Sequence, residues 1–462
     1  MRQLRMISPL SYRGGFHTKA LLYETLVKRD DEARLAPGLA ESWQYEDHGR
    51  SLRLRLRAHA KWHDARPVHA KDVVVHFRRW LQLPEHAWLR ACSEIAAVEA
   101  PSPHEVLLRL RRPAAVLPEL TAINPCAIRG PGSLDREGEF VHPVGSGPWR
   151  LLSMEEDHYR YQRVADGQRI DLVPFPRQDS QELLRALGRG EIDAFISSWD
   201  DPAPGPAARA AAEDPKLQLI STAGTSLQYV SFLLHDGPSS DPKVRAAIRD
   251  AVDRAAMIEA LEDGLAEPCT AWAAPSLPCS PKAAGQSPAP RPVPAALAGC
   301  QLRILCGHSQ NRAYQIAQLL AAQLGDAGFE VELKALEGNA YRRALQRQEW
   351  DLRIERSWGL PYDPFITSVS RFQAPTAEAS AASKRHHSLD PELEKLTREL
   401  LQAVSESEQE ALYTKIQARI DQAALLLPLY APRRFAICRS GISGIRLPLD
   451  PYQLDLDKLA RR

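Results

Sequence analysis

From Leu302 to Ile354 the chain alternates strand and helix periods with little between them. Leu302 to Cys306 reads as a strand, Asn311 to Leu324 as an amphipathic helix, Phe329 to Leu333 as a strand, Asn339 to Gln348 as a helix and Leu352 to Ile354 as a strand. Such a βαβ rhythm builds a mainly parallel sheet with helices on its faces, and it commits this part of the chain to an α/β architecture. The N-terminal stretch has a different texture. Leu52, Leu54 and Leu56 alternate with Arg53, Arg55 and Arg57, the period of a strand with one wet face. His104 to Leu110 reads as a second strand, and between the two Val73, Val74, Phe77, Trp80 and Leu81 fall on one face of a helix over 71–81. Gly147 to Ser153 and Tyr159 to Val164 read as a hairpin with Trp149 at its base. Asp179 and Glu182 form a capping pair for a helix carrying Leu183, Leu184 and Leu187, and Ile192 to Ile196 follows as a strand.

A strand over Tyr229 to Leu234 leads to a helix opened by Asp241 and Pro242, carrying Val244, Ile248, Val252 and Ile258 and ending at Gly264. Pro281 to Pro294, rich in Pro and Ala, is expected to be a surface connector. Helices over Pro391 to Val404 and Glu408 to Ala423 precede an apolar, β-rich stretch, Leu425 to Cys438.

At 462 residues the chain exceeds what one core usually organises, so two or more lobes are expected. Fifty-nine basic residues face 58 acidic ones, and the net charge of +1 gives no electrostatic case for nucleic acid or an anionic membrane as partner. No apolar run is long enough to span a bilayer. Met1 to Leu10 carries Arg2 and Arg5 without an apolar core, which is not the pattern of a secretory leader. The seven cysteines are an odd set; Cys269 with Cys279 is a conceivable loop-closing pair, and most are expected to be small core residues. The H-E-x-x-H, G-x-S-x-G, P-loop and dinucleotide signatures are all missing, so an enzyme is not expected.

Six short words then occur in order: LAPGLAESW at 35–43, KWHDARPVHAKDVV at 61–74, VGSGPW at 144–149, LGRGEI at 187–192 with Asp193 after it, DPKVRAAIRDAVDR at 241–254 and WGLPYDP at 358–364. Together they resemble the family 5 solute-binding proteins of peptide and nickel ABC importers. The resemblance implies a two-lobed, periplasmic-binding-protein-like α/β fold of type II. Lobe one would take 1–226, including a β-rich subdomain over about 44–143; lobe two would take 227–424, and 425–462 would return to lobe one. It further implies a ligand held in the cleft and released unchanged, ABC permease subunits with their ATPase as partners, and a monomer peripheral to the membrane. The location implied is periplasmic or cell-surface.

Within that family, peptide-binding members resemble one another in an aspartate three residues after the tryptophan, where it meets the peptide ammonium; here that position is Pro361. EHAWL at 85–89, GSGPW at 145–149 and RSWGLPYDP at 356–364 are more similar to the nickel-binding branch. That likeness implies a small metal chelate, of histidine or opine type, with no intrinsic cofactor and the metal entering as part of the ligand. Trp88, Trp358, Tyr362 and Phe16 would supply aromatic walls, Arg371 and Arg129 carboxylate clamps, and His86 and His17 contacts near the metal. Glu85 and Ala127 stand where that branch has arginines. A di- or oligopeptide is the alternative ligand. His386 and His387 are expected in a solvated loop, His63 in a structural turn, and Asp363 as a brace of its loop.

Overall fold

In this computed structural model the βα alternation is the core of a six-stranded sheet, and the residues described are 7–12, 15–155, 158–175, 180–197, 205–280, 289–307, 312–362, 372 and 390–461. Gln301–Gly307 pairs in parallel with both Glu330–Leu336 and Leu352–Arg356, because the helices Arg312–Ala327 and Gly338–Arg347 carry the chain back between them. The other strands run against this unit. Gln228–Phe232 pairs antiparallel with Leu352–Arg356 and with Leu426–Pro432, which in turn pairs with Ala266–Pro268. The sheet is thus mixed rather than mainly parallel, since only the βαβ part has helical crossovers to turn the chain round. Val230, Ile248, Ile304, Leu320, Leu352 and Leu427 meet in the core beneath it.

The helix begun by Asp241 is two helices. Asp241 caps Pro242–Ala251 through Lys243 N at 2.8 Å, as its sequence position predicts. Val252 then turns extended, and Asp253 caps a new helix, Arg254–Glu262, by accepting from Ala256 N at 2.9 Å. A second Asp with its own capping bond competes with continuation of the first helix, which periodicity alone does not register.

The other lobe is built from smaller antiparallel sheets. Ala40–Glu46, Ser51–Leu56, Glu105–Leu110 and Ile95–Ser102 form one in that spatial order, with helix Ala70–Trp80 packed against it. Leu52, Leu54 and Leu56 are buried and the intervening arginines are not, as the alternation requires. Trp149–Glu155, His158–Arg163 and Arg169–Leu172 make a second sheet. Ala194–Ile196 and Leu217–Thr222 flank Arg434–Arg439 in a third.

The chain therefore passes between the two bodies twice, between Thr222 and Gln228 and again at Pro432 and Arg433. Leu425 to Cys438 is two strands in two different sheets, and Leu426–Pro432 still belongs to the six-stranded one. The two crossings touch: a Cβ on Gly224 would lie 1.8 Å from the Pro432 carbonyl oxygen, so only glycine lets the segments meet. All seven cysteines are free, so the conceivable Cys269–Cys279 bridge is not formed. Asp179, most of the connector (281–288) and the His386–His387 pair lie outside the described residues.

Candidate functional site

Trp88 follows the short 3-10 turn Pro84–His86 of the first lobe, and Trp358 follows strand Leu352–Arg356 of the second. Their rings nonetheless lie 6.2 Å apart, centroid to centroid, with planes inclined by only 22°. Each keeps a large exposed area, 44% for Trp88 and 48% for Trp358, although tryptophan is highly buried on average. Tyr362 closes the base of the pair, 5.3 Å from Trp88 and 6.2 Å from Trp358. Its ring is buried and its hydroxyl donates to the Asn124 carbonyl of the first lobe at 3.0 Å. Burial raises the phenol pKa well above its ordinary value, so the group stays a neutral donor.

Local chemistry fixes this loop. Gly359 sits at φ +74°, and a Cβ there would come within 2.9 Å of Thr225 Oγ1. The same hydroxyl donates to the Leu449 carbonyl at 3.2 Å and accepts from Leu360 N at 3.2 Å. Thr225 belongs to the first crossing, so the tryptophan loop is bonded to the hinge itself.

The aromatic group extends further than the sequence predicts. Tyr12 lies 6.0 Å from Trp88 and 5.2 Å from His86, and Tyr452 lies 5.9 Å from Tyr362 and 4.6 Å from Phe16. Tyr452 also donates to the Trp358 carbonyl at 2.8 Å. Neither tyrosine carries a sequence signal, because both sit in irregular segments whose position depends on the rest of the fold. Phe16 joins the cluster through Tyr452, with Lys19 Nζ 5.6 Å from its ring centre.

The histidines and Arg129 have other surroundings than expected. His86 is fully buried between Tyr12 and Trp80, with Nδ1 3.2 Å from the Tyr12 hydroxyl, and burial lowers its pKa. It supports Tyr12 from behind instead of facing the cleft. His17 directs Nε2 to the Pro451 carbonyl and to Arg434 Nη2, both at 3.2 Å, so that nitrogen is engaged by protein rather than offered to a metal. Among the described residues no cluster of three or more His, Cys, Asp or Glu side chains could hold a metal ion. Arg129 is 6% exposed with Nε unpartnered, and desolvation followed by nearby Arg79 brings its pKa down to about 10. Among the described residues no hydrogen bond or ion pair joins it to the aromatic cluster. Arg371 and Asp363 lie outside the described residues. His63 bonds the Gly147 carbonyl through Nε2 at 3.0 Å and Gly145 N through Nδ1 at 3.4 Å, a turn-bracing role.

Behind the cluster, Asp450 is buried and accepts from Tyr452 N at 2.9 Å. Desolvation raises its pKa from 3.8 to about 7, against the opposing pull of that bond and of Arg434 and Arg29. The folded state therefore holds this proton more tightly than the unfolded chain does. The resulting stabilisation is complete below about pH 4 and is lost as pH climbs through 7. Asp450→Asn keeps an acceptor for Tyr452 N but cannot titrate. Its melting temperature relative to wild type is expected to improve steadily across that interval, measured by calorimetry at several pH values. A constant difference at every pH would refute the assignment.

The sequence matches the family model described as bacterial extracellular solute-binding proteins, family 5 Middle, over residues 34–379. The chain belongs to this family. A family 5 protein is the substrate-binding component of an ABC importer and not an enzyme. Its members are extracytoplasmic, and among the described residues no helix is long and apolar enough to cross a membrane. Among curated relatives, the "Probable di/tripeptide-binding protein 5" of Pseudomonas aeruginosa is 27% identical, over 92% of this chain and 88% of that protein. The glutathione-binding protein GsiB of Escherichia coli is 24% identical over 68% of this chain and 64% of its own length. Among solved structures, NikA from Brucella suis in complex with Fe(III)-EDTA superimposes with a TM-score of 0.86 at 21% identity, covering 99% of this chain and 97% of NikA. That likeness is one of fold, and it agrees with the two-lobed family 5 arrangement the sequence words imply.

Proposed function

We propose that this receptor takes a small metal chelate whose chelator carries carboxylates, seated against the exposed faces of Trp88 and Trp358. The observation that carries the reading is the near-parallel pair of half-exposed indoles, one from each lobe, facing each other across the seam. A chelated metal presents flat apolar edges and outward carboxylates, which call for stacking walls and guanidinium donors more than for a set of protein ligands to the metal. Arg371 remains the expected carboxylate clamp. Pro361, in place of an aspartate, leaves a peptide ammonium without its counter-charge at that position.

A di- or tripeptide is the second reading, favoured by the 27% identity to the Pseudomonas aeruginosa protein across most of both chains. Thermal melting separates the two. Fe(III)-EDTA, or nickel with histidine, is expected to raise the melting temperature in a concentration-dependent way, because a ligand that binds only the folded state stabilises it by mass action. A mixed dipeptide pool is expected to leave it unchanged. The opposite pattern would assign the cleft to peptides.

A further inference from the structure

We propose that the seam between the lobes carries a second ligand site, separate from the tryptophan cleft, in which Arg29 binds a short branched aliphatic carboxylate. A cavity of about 140 Å³ is lined in part by Leu360 and by none of Trp88, Trp358 and Tyr362. The first lobe lines it with Arg29, Leu35 and Leu117, the second with Leu277, Leu360 and Leu400. Leu360 links the two sites, since it lines this cavity while its neighbours Trp358 and Tyr362 belong to the aromatic cluster.

The polar groups of the cavity are mostly committed. The Tyr413 hydroxyl donates to the Trp272 carbonyl, and the Tyr45 hydroxyl accepts from Val116 N at 3.2 Å. Arg29 is different. Its Nη1 donates to the Ala33 carbonyl at 2.8 Å, but its Nε is buried without a hydrogen-bond partner, and among the described residues no carboxylate stands within ion-pair distance. Asp450 and Glu406 act on it only through space, and the two carboxylates that line the cavity, Glu406 and Glu410, are solvent-exposed, where water screens their repulsion of an incoming anion. A guanidinium with an unused edge is a fork for a carboxylate, and such charge-assisted pairs are strong where water is scarce. The apolar part of the wall, Leu35, Leu117, Leu277, Leu360, Leu400 and Val404, suits an aliphatic tail, and the exposed Arg34, Glu406 and Glu410 complete the lining with Gln409 and Cys279. A cavity of this size holds a molecule about as large as benzene, which limits the ligand to an acid of about five carbons.

Both lobes contribute walls, so an occupant favours the arrangement in which they meet. Whatever ligand the tryptophan cleft takes, its affinity is then raised by the occupant, and the occupant's by it, through the same factor.

The test is calorimetric titration of the full chain with isovalerate at millimolar concentrations, alongside isovaleramide, which has the same shape without the charge. Isovalerate is expected to bind at least about tenfold more tightly than the amide, and Arg29→Gln to abolish that preference. Equal binding of acid and amide, or no binding of the acid, would overturn the proposal. Should Arg29→Gln fail to fold, the acid-to-amide comparison on the wild-type protein decides alone. Leu400→Trp, which fills the cavity from the second lobe, is expected to eliminate isovalerate binding while leaving binding in the tryptophan cleft intact. Retention of isovalerate binding in that variant would place the acid elsewhere.

Discussion

Trp358→Ala is expected to weaken ligand binding by roughly 30- to 150-fold, the equivalent of about 2–3 kcal/mol for an aromatic anchor at the centre of a binding surface. The same change should cost the unliganded protein about 1–3 kcal/mol, below the loss for a fully buried tryptophan, because nearly half of this indole is exposed before any ligand arrives. The loop itself should survive. Its position depends on main-chain groups, namely the Trp358 carbonyl bonded by Tyr452 and Leu360 N bonded to Thr225, and on Tyr362 held by Asn124. Titration calorimetry with the ligand that shifts the melting curve gives the first quantity, and urea unfolding of the apo protein gives the second. A variant that loses apo stability while keeping its affinity would show Trp358 to be a packing residue and remove the main support for a chelate held against the indoles.

Arg434→Met is expected to produce the largest loss of stability, about 3–5 kcal/mol, as for other changes that strip one partner from a buried charged network. Arg434 is buried at the first residue of its strand beyond the second crossing. It donates to the carbonyls of Pro448, Asp450 and Gln453 at 2.8, 3.0 and 3.2 Å, and its Nη2 lies 3.2 Å from His17 Nε2. Desolvation, only partly offset by Asp450, brings its pKa down to about 10, which still leaves it charged at neutral pH. Methionine fills similar space but leaves those acceptors unserved and takes from Asp450 a cation that favours its charged form. Arg433→Ala is the control. That side chain is partly exposed and pairs with Glu267 at 2.7 Å and Ser221 at 2.9 Å, an arrangement worth about 1 kcal/mol or less. Calorimetric melting of both variants compares them directly; equal, small shifts would mean that the Arg434 network does not hold the hinge.

Local periodicity located most elements correctly where one residue type repeated on one face. The alternation of Leu52, Leu54 and Leu56 became a strand with those side chains buried, and the 71–81 pattern became helix Ala70–Trp80. Periodicity says less where neighbouring chemistry competes with it. Asp253 restarts a helix that hydrophobic spacing alone would have continued, and Leu425 to Cys438, uniform in composition, is divided between two sheets at Pro432 and Arg433.

For the site, the words EHAWL and WGLPYDP single out Trp88, Trp358 and Tyr362, and those three rings do meet. Tyr12 and Tyr452 escaped notice because no repeat or motif surrounds them, and they reach the cluster only through folding. His86 and His17 were attractive as imidazoles, but an imidazole's role depends on what lies against its nitrogens, which for these two is a tyrosine hydroxyl, and a carbonyl with an arginine.

The order of six short words and the βα alternation were enough to point to the family and its two-lobed α/β plan, because both are read from local patterns of residue type along the chain. Which rings face one another, which arginine is left with an unused edge, and where the chain recrosses the hinge were decided by the tertiary structure alone. Those properties come from desolvation and from pairings between residues hundreds of positions apart, as with His17 and Arg434, and no local pattern encodes them.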